Sequence, residues 1–472
     1  MKRFKKIYLL LGILAVVCAA TIGVMQMEEH KEMIKNTDEV ILSVPMDSVQ
    51  SLSWECESET FAFHRDEKWF YDEDEAFPVE EEEINGMLEQ FQEFGASFMI
   101  EEAENLGQYG LDEPVCTIQL VTEEQSYEVQ LGGYSSMDSQ RYVSIGDGNV
   151  YLVRNDPLDY FDVDISDLID HDQIPSFEQT TGIGFTGTEN YDITYEEDSS
   201  NTYCADDVYF ISKDEKPLPL DTARVEEYLQ NISSLNLTDY VTYNVTSEEL
   251  TAYGLDEPEL TVTVAYLSEE ESGGQISNTF VMNISRSPEE RVADRETEEE
   301  DGDSEEEEIT AYVRVGESQI VYQISGDSYK NLMAVSYDSL RHQEVFSADT
   351  MDIRQIDITL EGMDYTITSK EDEEEGKRIY YYQEKDVDMA NFKGSLKKLN
   401  AVSFTKEQPE QKEEIRLVVY LDNENFPAVE IELYRYDGNE CLAVVDGEPV
   451  SFVQRSAVVD LIEAVHGIVL NE

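Results

Sequence analysis

Cysteine is scarce in this chain, which has five among its 472 residues, and no two of them form a Cys-x-x-Cys pair. This spacing argues against a zinc site and against a dense disulfide framework. Four of the cysteines lie beyond residue 27 and far apart: Cys56, Cys116, Cys204 and Cys441. We expect these to be buried single thiols, since free cysteine is among the most buried residue types. A disulfide between two distant cysteines stays open.

Short catalytic motifs are also absent. The sequence contains no Gly-x-Ser-x-Gly elbow, no phosphate-binding Gly-x-x-x-x-Gly-Lys loop, and no His-x-x-x-His or His-Glu-x-x-His pair. Its five histidines are isolated from one another: His30, His64, His171, His342 and His466. His171 and His342 each follow closely after a leucine, which indicates a shared structural role. We therefore expect no catalytic residue, no metal and no cofactor, and we predict that the protein is not an enzyme.

Basic residues are few, with 32 Lys and Arg against 105 Asp and Glu, so the formal net charge is -73. Such a field repels nucleic acid and anionic lipid headgroups, which excludes both as partners of the acidic part of the chain. The favoured interpretation is solubility outside the cell, and the alternative is capture of cations or of a basic partner. The hydrophobic fraction of 40%, with 28 Tyr and 18 Phe, still predicts folded cores.

One long uncharged segment stands near the start of the chain. Residues 1–6 carry four positive charges and precede an apolar run over residues 7–27. This run suits the ~30 Å hydrocarbon core and exceeds the usual signal-peptide core of about 7 to 15 residues. We predict a cytoplasmic tail at 1–6, an uncleaved single-pass transmembrane anchor at 7–27, and a polar stalk at 28–48. The basic flank keeps the N-terminus inside and places the rest of the chain outside the cell membrane.

The most informative feature is a hexad that occurs twice, letter for letter. Its copies are Tyr109, Gly110, Leu111, Asp112, Glu113, Pro114 and Tyr253, Gly254, Leu255, Asp256, Glu257, Pro258. Apolar residues alternate after each copy, so each leads into a β-strand. At such a strand entry Gly supplies a positive φ, Leu enters a core, Asp bonds to nearby amides and Pro restricts the last step. We predict that the hexads are structural motifs and not halves of one active site.

A second pattern repeats with the same order. The Tyr-Val and Val-Tyr pairs that follow the first hexad recur after the second: Tyr142-Val143, Val150-Tyr151, Tyr312-Val313 and Val321-Tyr322. This repetition predicts tandem units at 49–178 and 179–350, and a degenerate unit without a hexad at 351–472. The predicted fold is α+β, with the N-terminal transmembrane helix followed by three tandem repeats of mainly antiparallel sheet, each with one packed helix.

The second unit carries an acidic loop at 286–308. Between Glu289 and Glu308 it holds 13 acidic residues and only two aliphatic ones, so it cannot bury a core. A calcium role is conceivable at Asp301, Asp303 and Glu305, but the glycine and the closing glutamate of an EF-hand are not in place. We therefore favour a solvated loop that is dispensable for folding.

These residues also carry a resemblance. On the Trp69 to Tyr71 strand, the two hexads and the Tyr-Val pairs, the chain resembles the bacterial domain-of-unknown-function family DUF4340. The resemblance covers most of the predicted exported part, and the third unit fits it less well because it lacks the hexad. The family's genes resemble companions of ABC-type export permeases and auxiliary proteins of the gliding-motility type. The resemblance implies an accessory role and supplies no catalytic residues.

We therefore expect a membrane-anchored, extracytoplasmic, non-enzymatic scaffold or binding protein that accompanies an ABC-type permease and its auxiliary subunits. The alternative is a cell-envelope hydrolase acting on wall glycan or peptide. That alternative would require a concave pocket with two partly buried carboxylates or a metal.

Overall fold

A computed structural model describes residues 34–56, 59–187, 189–213, 216–269, 273–291, 309–372 and 377–470. Within them the fold is α+β, as predicted, and consists of three nine-stranded antiparallel sheets with associated helices. The chain divides into two compact units, one ending at His171 with the first sheet, the other beginning at Asp172 with the second and third. No helix in this described part is long and apolar enough to cross a membrane. The predicted tail and anchor, residues 1–27, lie outside the described residues.

The strands of the first sheet are β1 Ile34–Leu42, β2 Val49–Cys56, β3 Glu59–Arg65, β4 Trp69–Tyr71, β5 Phe94–Ile100, β6 Cys116–Thr122, β7 Ser126–Ser135, β8 Gln140–Ser144 and β9 Val150–Val153. Their order across the sheet is β1-β5-β9-β8-β7-β6-β2-β3-β4. The neighbouring strands β2 and β6 therefore come from two separate parts of the chain.

The second sheet contains β10 Thr180–Gly187, β11 Tyr191–Tyr195, β12 Tyr209–Lys213, β13 Lys216–Pro219, β14 Tyr240–Thr242, β15 Leu260–Glu269, β16 Gln275–Arg286, β17 Ala311–Val315 and β18 Val321–Ile324. The third contains β19 Ile353–Leu360, β20 Met363–Asp372, β21 Lys377–Tyr382, β22 Lys385–Val387, β23 Ala401–Phe404, β24 Glu413–Leu421, β25 Ala428–Arg435, β26 Glu440–Val445 and β27 Glu448–Gln454. Counted from its own first strand, each of these two sheets has the same strand order.

The first sheet keeps eight of these nine positions. It lacks a counterpart of β13 and β22, and instead adds β1 as an edge strand beside β5. Part of the segment predicted as a stalk, 28–48, is thus a sheet strand. No strong apolar alternation marks this strand, because an edge strand pairs on one side only and is little buried; Val40, for example, is 53% exposed.

Helices make the crossings between strands. They are α1 Glu81–Glu89, α2 Leu158–Phe161, α3 Thr222–Ser233, α4 Ser247–Ala252, α5 Gly326–Met333, α6 Tyr337–Leu340, α7 Ala390–Lys397 and α8 Arg455–Val469, with short 3-10 helices at Met46–Ser48, Leu106–Tyr109 and Ile165–Leu168. In each sheet one helix, α1, α3 or α7, carries the chain from the first strands to the far side of the sheet, where it enters β5, β14 or β23. β14 and β23 are edge strands, and β5 has only β1 outside it. A connecting segment then returns to β6, β15 or β24 in the interior of the sheet.

The crossing helices form where the sequence places apolar residues at helical spacing. Their buried residues are Ile84, Met87 and Leu88 in α1, Val225, Tyr228, Leu229 and Ile232 in α3, and Phe392 and Leu396 in α7. Two of these helices begin with an acidic cap, in which the side chains of Glu80 and Asp221 accept hydrogen bonds from backbone N–H groups. Each fully buried apolar side chain contributes about 1.5–3 kcal/mol relative to exposure.

The first sheet is crosslinked by a disulfide between Cys56 and Cys116. Our expectation of buried single thiols is wrong for this pair, although it holds for Cys441, which is free and buried. The two half-cystines are 60 residues apart in the sequence but lie directly opposite each other on β2 and β6. Sequence spacing did not predict the bond because it arises from the pairing of strands that are distant in the chain.

Candidate docking site

Both Tyr-Gly-Leu sequences end a short helix, since the first closes the 3-10 helix Leu106–Tyr109 and the second follows α4. Gly110 and Gly254 have φ angles of 70° and 71°, the left-handed conformation in which helices often end. In each copy the N–H of the last leucine donates to the carbonyl of a leucine five residues earlier, Leu111 to Leu106 at 3.1 Å and Leu255 to Leu250 at 2.8 Å. This is the hydrogen-bond pattern of a Schellman cap.

The repeated structural element is therefore longer at its start than the hexad. It reads Leu-x-x-Tyr-Gly-Leu, and we call Leu106–Leu111 the first Tyr-Gly-Leu turn and Leu250–Leu255 the second. The hexad leaves out the leading leucine, although this leucine stands at the same spacing before both copies. A leucine pair at these two positions is the apolar contact that commonly accompanies the cap.

Each turn packs on its own sheet. Leu111 and Tyr109 belong to a small buried cluster with Ile100, Val150 and Leu152. Leu255 belongs to a corresponding cluster with Val245 and Val321. The tyrosine of each turn contacts the tyrosine of the following Tyr-Val pair, with ring centroids 4.9 Å apart for Tyr109 and Tyr142 and 4.6 Å apart for Tyr253 and Tyr312. The two repeated sequence patterns thus mark two sides of one contact.

The remaining hexad residues are polar or lead into the strand. Asp112 and Asp256 are both exposed. The Asp256 carboxylate accepts hydrogen bonds from the Thr251 hydroxyl at 2.9 Å and from the Glu257 N–H at 3.0 Å. Pro114 and Pro258 each stand two residues before the central strand. These contacts are local turn interactions of the kind expected for Asp.

The sheet makes room for each turn with a small residue. Gly132 follows Leu131, the residue opposite Cys116, and Ser285 follows Ile284, the residue opposite Leu260. A Cβ atom on Gly132 would clash with the Tyr109 carbonyl oxygen. Ser285 is fully buried. A bulky side chain at this position would exclude the turn.

An arginine secures the second turn. The Arg291 guanidinium donates to the carbonyl oxygens of Gly254 at 2.6 Å and Glu257 at 3.1 Å. Next to it, Glu259 forms an ion pair with Arg286 at 3.0 Å. Burial raises the pKa of the Glu259 carboxyl, but its hydrogen bonds to Arg286 outweigh burial and leave that pKa below its usual value. Both arginines stand within the predicted loop 286–308, so its first residues belong to the folded sheet.

The rest of the predicted loop, residues 292–308, lies outside the described residues. Deleting 292–307 while keeping Arg291 should shift the thermal midpoint by less than about 2 °C, because shortening a flexible loop changes its closure entropy only slightly. The comparison is Arg291→Ala in the intact chain, which should lower the midpoint further by removing the hydrogen bonds to the Gly254 and Glu257 carbonyls. A collapse in yield after the deletion, or a calcium-dependent rise in the intact protein's midpoint that the deletion removes, would argue against a solvated loop.

The third sheet replaces the turn with a short segment. Residues 405–412 connect β23 to β24 and contain no Tyr-Gly-Leu sequence. Leu442 occupies the register position of Tyr142 and Tyr312, since it pairs with Phe452 as Tyr142 pairs with Leu152. Tyr434 occupies the position of Gly132 and Ser285, because it directly follows Leu433. Leu433 lies opposite Ile415, as Leu131 lies opposite Cys116 and Ile284 lies opposite Leu260. Where the turn is missing, leucine therefore stands in place of the tyrosine, and tyrosine stands in place of the small residue.

A groove lies at this position. It has a volume of about 340 Å³ and is lined by Glu407, Gln408, Pro409, Glu410, Gln411, Arg435, Tyr436 and Leu442. We call it the third-sheet groove. Beneath it, Leu442 forms a buried cluster with Val444 and Phe452. The Tyr436 ring is 39% exposed and packs on Phe452 with centroids 4.3 Å apart. A hydrogen bond to Glu407 raises the pKa of the Tyr436 phenol.

The groove has a mixed lining in which polar and charged residues predominate. Tyr436 and Pro409 offer apolar surface, Leu442 is itself buried, and Glu407, Glu410 and Arg435 stand beside them. A concave site of this size with several converging polar groups is a candidate binding site. Among the described residues, two groups have the spacing of metal ligands, and neither includes a residue of the groove or of either turn: Cys204, Asp207 and His342, and Asp221, His342 and Glu344.

Comparison with known proteins gives one family. The model described as Domain of unknown function (DUF4340) matches residues 69–258 and 212–417. The first match runs from the Trp69 strand to the end of the second hexad, and the second ends within the third sheet's strand β24. No curated protein and no solved structure matches the chain.

Proposed function

The chain belongs to the DUF4340 family, which has no assigned activity, and from this premise we propose that it is an extracytoplasmic, non-enzymatic binding protein of an ABC-type transporter. Its third-sheet groove binds a segment of a permease subunit. One observation carries the proposal, namely that a surface covered by a Tyr-Gly-Leu turn on the first and second sheets is left as a groove on the third.

The first two sheets indicate the chemistry of the occupant. There the equivalent surface is covered by a leucine and a tyrosine, held in place by the Schellman cap. The third-sheet groove lies beside a buried apolar cluster that includes Leu442 and Phe452. A partner segment that presents leucine or tyrosine would bury the exposed part of Tyr436, which gains about 25 cal/mol per Å² of apolar surface. An aromatic ring such as Tyr436 at the rim is a frequent centre of binding energy.

Charge further restricts the kind of segment that can bind in the groove. The chain has a net charge of -73, and the groove is lined by two acidic residues, Glu407 and Glu410, against one basic residue, Arg435. A partner segment with a basic residue next to its leucine or tyrosine would be attracted both by the net charge of the chain and by these glutamates. We therefore commit to a permease segment that carries Leu or Tyr beside Lys or Arg. An acidic segment would be repelled by the same field, which provides specificity.

Two features support the proposed location. The disulfide between Cys56 and Cys116 is of a kind that persists in oxidising compartments outside the cytoplasm. The apolar run at 7–27, behind four positive charges, is the proposed single-pass anchor. The transporter role itself rests on the resemblance of the family's genes to companions of ABC-type export permeases. An anchor would hold the sheets beside such a permease.

The test is photocrosslinking in intact cells. A photoreactive phenylalanine analogue at position 436 should crosslink a permease subunit, identified by mass spectrometry. The matched control is position 195, because Tyr195 is also 39% exposed and its hydroxyl also bonds to a glutamate, Glu197. We expect the permease band at 436 and its absence at 195. Equal labelling at both positions, or labelling of proteins other than a permease subunit at 436, would count against the proposal.

A further inference from the structure

The connection between the second and third sheets, residues 341–350, is firmly packed. Val345 and Phe346 are buried in the core of the third sheet. A loop of the second sheet, residues 199–207, approaches the same place, because Tyr203 stacks on Phe346 with ring centroids 6.2 Å apart. Both segments belong to the unit that begins at Asp172. The ends of two sheets therefore meet around one connection.

Potential metal ligands converge at this meeting point. Nε2 of His342 lies 2.8 Å from an oxygen of Asp207. The other oxygen of this carboxylate accepts the Thr202 hydroxyl at 2.6 Å, and Asp207 is only 3% exposed. Cys204 Sγ completes a group whose ligand atoms all lie within 4.8 Å of one another. Asp207 is thus held in a fixed orientation, as ligands of built metal sites are.

The opposite side of the imidazole is also acidic. Nδ1 of His342 lies 3.8 Å from an oxygen of Asp221 and 3.9 Å from an oxygen of Glu344. Three carboxylates therefore surround one imidazole; Arg224 pairs with Asp221 at 3.5 Å, and a single imidazolium would balance only one of the other two. A divalent cation at the Nε2 side would supply the missing positive charge.

We propose that Cys204, Asp207 and His342 bind a zinc ion. A thiolate, an imidazole and a carboxylate together form a borderline-soft donor set that suits Zn²⁺ better than Mg²⁺ or Ca²⁺, which prefer oxygen alone. Three protein ligands leave a fourth position for water. Asp221 and Glu344 lie 3.8 and 3.9 Å from Nδ1, and their negative charges favour a proton on that nitrogen, which leaves Nε2 free to bind the metal.

Zinc binding replaces the hydrogen bond between His342 and Asp207 with a bond from each residue to the metal. The ion takes the place of the proton between His342 Nε2 and Asp207, and the imidazole keeps a proton on Nδ1. The Cys204 thiol loses its proton to solvent and binds as thiolate. The ion then joins a loop of the second sheet to the connection that enters the third. The site shares no residue with the third-sheet groove, so either proposal can fail alone.

The test is calorimetric titration of the full chain in detergent with ZnCl₂, with excess Mg²⁺ present to occupy non-specific acidic sites. We expect one tightly bound equivalent and a higher thermal midpoint with zinc. Cys204→Ser should weaken binding about tenfold or more. The matched control is Cys441→Ser, which removes the other free cysteine and should leave binding unchanged. His64→Ala is the control for His342→Ala, because His64 also bonds to an aspartate, at 2.6 Å, in the first sheet.

A spectroscopic measurement keeps the test decisive if a variant folds poorly. Replacing zinc by Co²⁺ in the unaltered chain should give a thiolate-to-cobalt absorption band, and Cys204→Ser should abolish it while Cys441→Ser retains it. Absence of a tight equivalent in the unaltered chain would overturn the proposal. So would equal affinity of the Cys204→Ser and Cys441→Ser variants, or an absent band. In those cases His342 and Asp207 are a hydrogen-bonded structural pair without metal.

Discussion

The double variant Cys56→Ala/Cys116→Ala should lose about 4 kcal/mol of unfolding free energy in the unit that contains the first sheet. The bond closes a loop of 60 residues, and the chain-entropy relation assigns about 4 kcal/mol to a loop of this size. The effect arises mainly in the unfolded chain, which gains freedom when the crosslink is absent. Cys116 is fully buried and Cys56 nearly so, so the lost sulfur atoms add a packing cost.

Denaturant unfolding monitored by tryptophan fluorescence measures this loss. The chain has two tryptophans, and both Trp54 and Trp69 lie buried in the first sheet. Reducing the unaltered protein with dithiothreitol should reproduce most of the effect without any packing change. Cys441→Ala, which removes a buried free thiol of the third sheet, should leave the tryptophan transition in place. A loss below about 1 kcal/mol on both mutation and reduction would mean that the crosslink is absent or makes no contribution.

Truncating the leucine of either Tyr-Gly-Leu turn should be costly as well. Leu111→Ala and Leu255→Ala should each lower the unfolding free energy by about 2 to 5 kcal/mol, because each leaves a cavity in a small buried cluster. Leu111 is 4% and Leu255 6% exposed, so little water reaches either side chain. Each substitution should destabilise only the compact unit that contains it.

The matched controls are Asp112→Asn and Asp256→Asn in the same hexads. Both carboxylates are exposed, and Asn preserves most of the local turn bonding. We expect these two variants to stay within about 0.5 kcal/mol of the unaltered protein. If the aspartate variants were as damaging as the leucine variants, the hexads would need another explanation, such as a site built from their carboxylates.

The sequence predicted the tandem units because their signals are local. Apolar residues at helical spacing gave α1, α3 and α7, and the exact hexad repeat marked the return to the central strand. The Schellman cap was also encoded locally, in the leucine three residues before Tyr109 and Tyr253. The hexad by itself predicts only a strand entry and not a helix cap. Its Gly, Asp and Pro suit turns in general, and the helix before it is short.

The features that the sequence did not predict depend on contacts between distant residues. The Cys56–Cys116 bond required knowing that β2 pairs with β6. The cluster at His342 brings together residues 135 positions apart, so no spacing rule could reveal it. Only the strand register shows that Leu442, in the third-sheet groove, occupies the position that tyrosines hold in the other two sheets. In the linear sequence its segment shows merely that a hexad is missing.

The central claim is that a permease segment occupies the third-sheet groove, and filling the groove tests it most directly. The measurement is the yield of permease crosslinked through position 436 in cells that carry Leu442→Tyr, compared with Leu442→Met. Tyrosine is the residue that the first and second sheets have at this position, and it would fill the groove, whereas methionine conserves volume.

The surface variant Glu410→Lys provides a second comparison that leaves the buried cluster intact. We predict at least a tenfold loss of crosslinking with Leu442→Tyr, a clear loss with Glu410→Lys, and retention with Leu442→Met, all at similar protein levels. Equal crosslinking in the three variants would contradict the claim.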